Sequence, residues 1–233
     1  MPNLSKDSLA EQFAALLAER KQNWDPARFA QNARDRADLV ARFDPQSVVQ
    51  PGDRLDPFLL IDTQGGDISS QTLLADGPAV LLFFRFGECP ACNIALPHYD
   101  RYLAPALADA GIPLLAVSPQ LPDRLRRFQD RVGLGLRLAS DPDNGLARRL
   151  GITFLPAQIP QGQPPAGWIG ELTGTNSWEL PQPAILVLEQ DHRIRSLTVS
   201  PDWLDRPEAE DILRGLLPET GSDHPHALAE APR

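Results

Sequence analysis

The sequence predicts an α/β domain in which helices flank a central mixed sheet, preceded by a helical extension. Three observations carry this prediction. First, Ala79-Val80-Leu81-Leu82-Phe83-Phe84 and Pro113-Leu114-Leu115-Ala116-Val117 are continuous apolar runs bounded by turn residues, the texture of strands buried on both faces. Second, a helical stretch from Pro90 to about Ala110 lies between these runs. A crossover of that length joins parallel strands. Third, Ala184-Ile185-Leu186-Val187-Leu188 and Ile194 to Val199 flank Gln190-Asp191-His192 and read as an antiparallel pair.

The elements follow in chain order. Residues 1–47 form the extension, helical over 8–44. Ser8-x-x-Glu11 has the form of a capping box, and Leu9, Phe13, Leu16 and Leu17 follow helical spacing. Asp25-Pro26 restarts the pattern, with Asp as cap and Pro at the first helical position. Phe29, Ala33, Ala37 and Val40 mark an apolar stripe that should pack on the domain or against a second subunit of a homodimer, and Pro45 ends it. The main domain is expected over 48–217. Phe58–Ile61 and Asp67–Ser69 suggest a hairpin around Gly65-Gly66. Pro97 and Pro105 should interrupt or bend the stretch after Pro90. Leu125, Phe128 and Val132 mark a helix that stops at Gly133, Leu136 and Leu138 a short strand, and Asp141-Pro142 the cap of another helix. Residues 152–183, with six prolines and two tryptophans, read as an irregular insertion. A final helix starts near Pro207, and the polar stretch 218–233 has the composition of a disordered tail.

Composition narrows the functional classes. The 233 residues carry a net charge of -9, which argues against nucleic acid or an anionic membrane as the main partner. No window approaches the ~20 apolar residues of a membrane span. The first residues lack the basic and apolar segments of a secretory signal, so a cytoplasmic location is the default expectation. Prolines number 24, about twice the usual share, which predicts long ordered connections and abrupt helix starts.

The candidate chemistry lies at Cys89-Pro90-Ala91-Cys92, which holds both cysteines of the chain. The pair follows a buried strand, where α/β folds place reacting groups. Pro90 suits the first helical position, which makes Cys89 the cap and puts Cys92 in the first turn. Free N–H groups and partial positive charge there favour a thiolate, the species that disulfide exchange and peroxide attack both require. A structural zinc site would need four ligands, and a second cysteine pair is missing. Of the histidines, His224 and His226 lie in the expected tail, and His98 reads as a helix-surface residue. Leu180-Pro181-Gln182-Pro183 precedes the strand Ala184–Leu188. A thioredoxin fold would place a cis-proline there, so the Gln182–Pro183 bond is predicted to be cis, with Pro183 contacting the cysteines and the substrate.

Beyond the cysteines, ordered motifs run from about Val49 to Leu217. They include Pro51-Gly52-Asp53, Phe83-Phe84-Arg85 through Cys92-Asn93, Ala116-Val117-Ser118-Pro119-Gln120, Ser140-Asp141-Pro142, Asn176 to Pro181, and Pro201-Asp202-Trp203. This span resembles the peroxiredoxin-like branch of the alkyl hydroperoxide reductase/thiol-specific antioxidant family. The resemblance implies a thioredoxin-like fold and thiol-dependent reduction of a hydroperoxide. Cys89 and Cys92 would cycle between dithiol and disulfide with no metal or organic cofactor, and a thioredoxin-like or low-molecular-weight thiol would serve as reductant. Relatives usually carry aromatic residues where this chain has Glu88 and Ala91. Glu88 should oppose thiolate formation, Arg85 could offset it or be an ordinary surface charge, and the missing rings would remove a docking surface. The thioredoxin register makes Cys89 the attacking residue, whereas the usual peroxiredoxin register makes it Cys92. The alternative function is a protein-disulfide oxidoreductase using the same pair. A third reading is a redox-responsive binding module in which 152–183 contacts a partner.

Overall fold

The computed structural model describes residues 8–156, 159 and 162–216. The expected tail, 218–233, and Leu217 lie outside the described residues.

Two helices open the chain, α1 (Leu9–Asn23) and α2 (Pro26–Arg42). The Ser8 hydroxyl accepts the Glu11 N–H at the start of α1, and Asp25 accepts the N–H groups of Ala27 and Arg28 at the start of α2. Both caps satisfy donors that a helix start leaves free. The extension is integral to the domain: Leu9 is fully buried, and Leu9, Phe13 and Leu39 join the same apolar cluster as both cysteines. The apolar stripe predicted for α2 does not face inward. Phe29 and Ala33 are half-buried and Ala37 and Val40 exposed, while a mostly polar face that includes Asn32, Asp35 and Leu39 points to the domain.

The strands are β1 (Leu59–Asp62), β2 (Asp67–Ser69), β3 (Ala79–Phe83), β4 (Leu114–Ser118), β5 (Arg137–Ser140), β6 (Thr153–Phe154), β7 (Leu180–Pro181), β8 (Ala184–Leu188) and β9 (Ile194–Val199). Seven of them form one sheet in the order β2-β1-β5-β4-β3-β8-β9. The strands β3, β4 and β5 are parallel neighbours, and β8 runs antiparallel to β3 with Leu81 opposite Leu186. All five residues of β3 are buried, as the unbroken apolar run requires of a central strand. The β1–β2 hairpin extends the sheet by pairing β1 with β5.

The remaining helices are α3 (Ser70–Leu73), α4 (Pro90–Tyr102), α5 (Ala104–Asp109), α6 (Pro122–Val132), α7 (Gly145–Leu150), α8 (Ile169–Thr173) and α9 (Ala209–Leu216). The crossover between β3 and β4 is thus two helices broken at Leu103, with Pro97 inside the first and Pro105 opening the second. Gly133 ends α6 with φ 73°, a left-handed backbone that glycine adopts without strain. Asp141 is buried and accepts the N–H groups of Leu146 and Ala147, so it caps α7 across an intervening turn.

Residues 152–183 hold more order than their composition suggests. The strands β6 and β7 pair as a small second sheet, and Ile169, Leu172 and Leu180 bury together against Phe86, Phe154 and Trp178. Apolar side chains spaced too irregularly to show a period in sequence meet only once the chain has folded back.

Replacing Leu9 with Ala should destabilise the whole domain by about 2–5 kcal/mol in urea unfolding, the cost of a cavity in a packed core. A loss too small to measure would mean that α1 is a detachable appendage.

Candidate active site

The loop from β3 to α4 is clamped on both sides. The Gly87 N–H donates to Gln120 Oε1 at 2.7 Å, and the Gly87 carbonyl accepts from Asn93 Nδ2 at 2.7 Å and Arg131 Nη2 at 2.9 Å. A Cβ on Gly87 would sit 2.6 Å from the Phe128 ring, so only glycine lets the loop lie this close to α6. The Ser118 hydroxyl donates to the Arg85 carbonyl at 3.2 Å. Asn93, Ser118 and Gln120 all belong to motifs noted in the sequence, and their role here is to hold backbone.

This clamp delivers Cys89 as the cap of α4, with Pro90 at the first helical position and Cys92 in the first turn. Cys89 is 3% exposed and Cys92 fully buried, and they are free thiols. Arg206, from the loop between β9 and α9, reaches across to donate through Nη2 to Cys92 Sγ at 3.4 Å. Its Nε donates to the Trp203 carbonyl at 3.1 Å. A buried guanidinium requires a counter-charge, and the Cys92 sulfur supplies one when ionised. Burial pushes the Cys92 thiol up, but the hydrogen bond from Cys89 and the charge and hydrogen bond of Arg206 hold it well below the usual thiol range. Cys89 moves the opposite way, because its S–H donates to Cys92, because it is buried, and because a neighbouring thiolate repels a second charge. The surroundings of the pair thus favour ionisation at Cys92 over Cys89.

Arg206 is itself held by its neighbours. The Tyr99 hydroxyl, one helical face along α4, donates to the Pro207 carbonyl at 2.8 Å. Glu208 accepts the N–H groups of Leu9 and Ala10, both at 3.0 Å, so it caps α1. His98 Nε2 lies 3.4 Å from the same carboxylate and the imidazole is buried, which corrects the helix-surface expectation: α4 is covered by α1 and by the segment leading to α9. Neither Arg206 nor Glu208 carries a sequence signal. They lie more than a hundred residues from the cysteines, and isolated charges in sequence read as surface.

Glu88 is exposed, and its carboxylate accepts from Gln120 Nε2 at 2.9 Å. The cationic neighbours that favour ionisation of the pair are Arg85 and Arg206. Arg85 is not paired with Glu88; its guanidinium stacks over the Trp203 ring at 4.3 Å. Ala91 is fully buried in the cysteine cluster, so position 91 serves packing and offers no docking surface. The Gln182–Pro183 bond is trans, against the cis prediction. The Gln182 N–H donates to the Ile152 carbonyl and the Pro183 carbonyl accepts from Ser200, both at 2.8 Å. The backbone that was to receive an extended substrate is therefore paired within the chain, and the expected basis for Pro183 as a substrate-binding residue falls away. No group of metal-ligating side chains occurs among the described residues.

A cavity of about 340 Å³ opens on Cys89, roofed by α1 and α2. Trp24, Phe86, Phe154, Pro156 and Trp203 give it apolar walls. Phe154 and Pro156 come from the 152–183 segment, which thus helps to enclose the site.

The sheet order and the helix-capping cysteine pair define a thioredoxin-like dithiol protein. A sequence model of the AhpC/TSA family matches residues 51–197, and the chain belongs to that family. It is 30% identical over 118 residues to the thiol-disulfide oxidoreductase ResA of Halalkalibacterium halodurans, covering 50% of this chain and 65% of that protein. It is 33% identical over 96 residues to Rv2521, a provisionally named peroxiredoxin of Mycobacterium tuberculosis, covering 40% of this chain and 58% of the relative. The chain thus spans less than two thirds of either relative. In structure it is similar to peroxidoxin BcpB of Mycobacterium tuberculosis, with a TM-score of 0.55, 20% identity, and coverage of 72% of this chain and 96% of that one. Among the described residues no helix is long and apolar enough to cross a membrane.

Because ionisation of Cys92 is favoured, its reactivity should persist at neutral pH and be lost as pH falls through the lowered value. Replacing Arg206 with Met should move that limb upward by at least about one pH unit, given the strength of a charge-assisted hydrogen bond. Iodoacetamide labelling against pH, with the modified cysteine located by mass spectrometry, measures this; an unmoved profile would remove Arg206 from the account.

Proposed function

We propose that the protein is a peroxiredoxin-like thiol peroxidase that reduces hydroperoxides through Cys89 and Cys92. The observation that carries this reading is the hydrogen bond from buried Arg206 to Cys92 Sγ. It supports a standing thiolate in a dry site, with a second thiol in hydrogen-bonding contact. The Cys92 thiolate attacks the distal oxygen of the peroxide, the O–O bond breaks, and the alkoxide or hydroxide leaves and takes up a proton. Cys92 is then a sulfenic acid. Cys89 condenses with it, releasing water and forming the disulfide, and two equivalents of a cellular thiol restore the dithiol. Arg206 retains its charge throughout and balances the thiolate before and after turnover. These steps need no metal or organic cofactor.

The similarity to a thiol-disulfide oxidoreductase motivates a second reading, exchange with protein disulfides. The burial of both sulfurs and the internally paired backbone at Gln182 and Pro183 weigh against it, since a protein disulfide must reach a sulfur and align along an open edge.

Rapid-mixing kinetics with hydrogen peroxide test the proposal. Cys92→Ser should fall to the rate of a free thiol. Cys89→Ser should still consume one equivalent of peroxide but accumulate a sulfenic acid that dimedone traps. If Cys89→Ser abolishes the first step while Cys92→Ser preserves it, the order of attack is reversed. If wild type reacts no faster than free cysteine yet reduces insulin disulfides quickly, the second reading replaces the first.

A further inference from the structure

The cavity over Cys89 contains more positive charge than the reaction with peroxide uses. Four arginines line it, Arg20, Arg28, Arg42 and Arg85, against one carboxylate, Asp35. This is the reverse of the whole chain, whose net charge is -9. Among the described residues none of the four has a carboxylate within ion-pair distance, whereas other arginines, such as Arg36, Arg124 and Arg148, do. Arg20 is the most telling. It is only 5% exposed, and its hydrogen bond to Asn32 Oδ1 is long at 3.5 Å. Its guanidinium lies 4.7 Å from the centre of the Trp24 ring and that of Arg28 lies 4.1 Å from the same ring, so two like charges share one aromatic surface. Arg85 Nε is buried without a hydrogen-bond partner. Burying cations without acceptors is costly unless an anion completes the site.

The orientation of α2 agrees. This helix turns Arg28, Asn32, Asp35 and Arg42 toward the cavity and leaves Ala37 and Val40 in water. Of the cavity-facing side only Leu39 joins the apolar core, so apolar burial alone does not account for turning the polar side chains beside it inward. The cavity's volume suits a small organic molecule, and its apolar walls suit the carbon skeleton of one.

The redox state of the pair indicates which molecule. In the dithiol state an ionised Cys92 supplies one negative charge near Arg85, one of the four. In the disulfide state that charge is gone, and the attraction for an external anion is greatest just when a reductant is needed. The cavity also opens on Cys89, while Cys92, stabilised by Arg206, is the better leaving group. We propose that this cavity is the binding site of the reductant, a low-molecular-weight thiol bearing a carboxylate, and that Arg20 and Arg28 receive the carboxylate. The proposal rests on the dithiol–disulfide cycle described above. The bound thiolate attacks Cys89 Sγ, the Cys89–Cys92 bond breaks, and Cys92 leaves as a thiolate. A second thiolate attacks the mixed disulfide at the sulfur of the first thiol, releasing the small-molecule disulfide and the Cys89 thiolate, which takes up a proton. Two thiols are oxidised and one protein disulfide is reduced.

The test begins from protein oxidised with diamide, so that it does not depend on reactivity toward peroxide. Stopped-flow tryptophan fluorescence then follows reduction by 3-mercaptopropionate and by neutral 2-mercaptoethanol, with rates compared per thiolate. The anionic thiol should be faster by roughly 10-fold, the worth of one charge-assisted hydrogen bond. Arg20→Gln and the exposed-site variant Arg28→Gln should each reduce that preference, slowing reduction by 3-mercaptopropionate more than reduction by 2-mercaptoethanol. Because Arg28 is exposed, its variant keeps the test informative if Arg20→Gln does not fold. Equal rates for the two thiols, or a preference that survives both variants, would overturn the proposal. A further arm compares linoleic acid hydroperoxide with its methyl ester in the oxidising step. A preference for the acid that Arg28→Gln removes, without any thiol preference, would assign the cavity to the oxidant and overturn the reductant assignment. If diamide forms no Cys89–Cys92 disulfide, the dithiol cycle itself fails, an outcome distinct from the others.

Discussion

The structure depends on a charge pair with almost no access to water: the Arg206 guanidinium and the Cys92 sulfur. Each would be unfavourable alone. An unpaired arginine at this depth would cost several kcal/mol, and a thiolate in the same surroundings would take up a proton. Together they favour ionised sulfur at Cys92, and breaking a buried charge pair by deleting one partner typically costs about 3–5 kcal/mol. Reactivity and stability are thus coupled through one contact.

Much of the surrounding architecture serves to keep that contact in place. Arg206 follows the last strand of the sheet, whereas Cys92 lies on the helix after the third, so their meeting requires the sheet order β4-β3-β8-β9. Tyr99 then ties the segment after Arg206 to the cysteine helix, and Glu208 ties it to the start of α1. The opening helix is therefore joined to the reactive centre through two side chains, although it lies about eighty residues before the cysteines in sequence. The hydrogen bonds on Gly87 fix the approach from the other side.

What could be read from sequence divides along the range of the interaction. Strands with unbroken apolar runs, caps such as Ser8 and Asp25, and the helix stop at Gly133 depend on neighbours a few residues away, and they lie where local rules put them. The cysteine pair was equally visible, because its spacing and its position after a strand are local. Arg206, Glu208 and the buried state of His98 depend on elements far apart in the chain, and a lone charge or imidazole gives no sign of its depth. The cis geometry expected at Pro183 failed for a related reason. The residue's place before β8 was clear, but its peptide geometry and hydrogen bonds are set by Ile152 and Ser200. The stripe on α2 misled because periodicity shows that a helix has two faces and leaves open which one turns inward.

That rotation of α2 separates two properties that enzymes often build from the same residues. The sheet, the Gly87 clamp and Arg206 set how reactive the sulfur is; one face of one helix sets much of what can lie beside it. Substitutions at Arg28 or Arg42, both exposed, leave the packing of the sheet untouched. Selectivity can therefore drift in the course of descent through the cavity-facing side chains of α2, while the buried side of α1 and α2 stays fixed in the core that holds the cysteines.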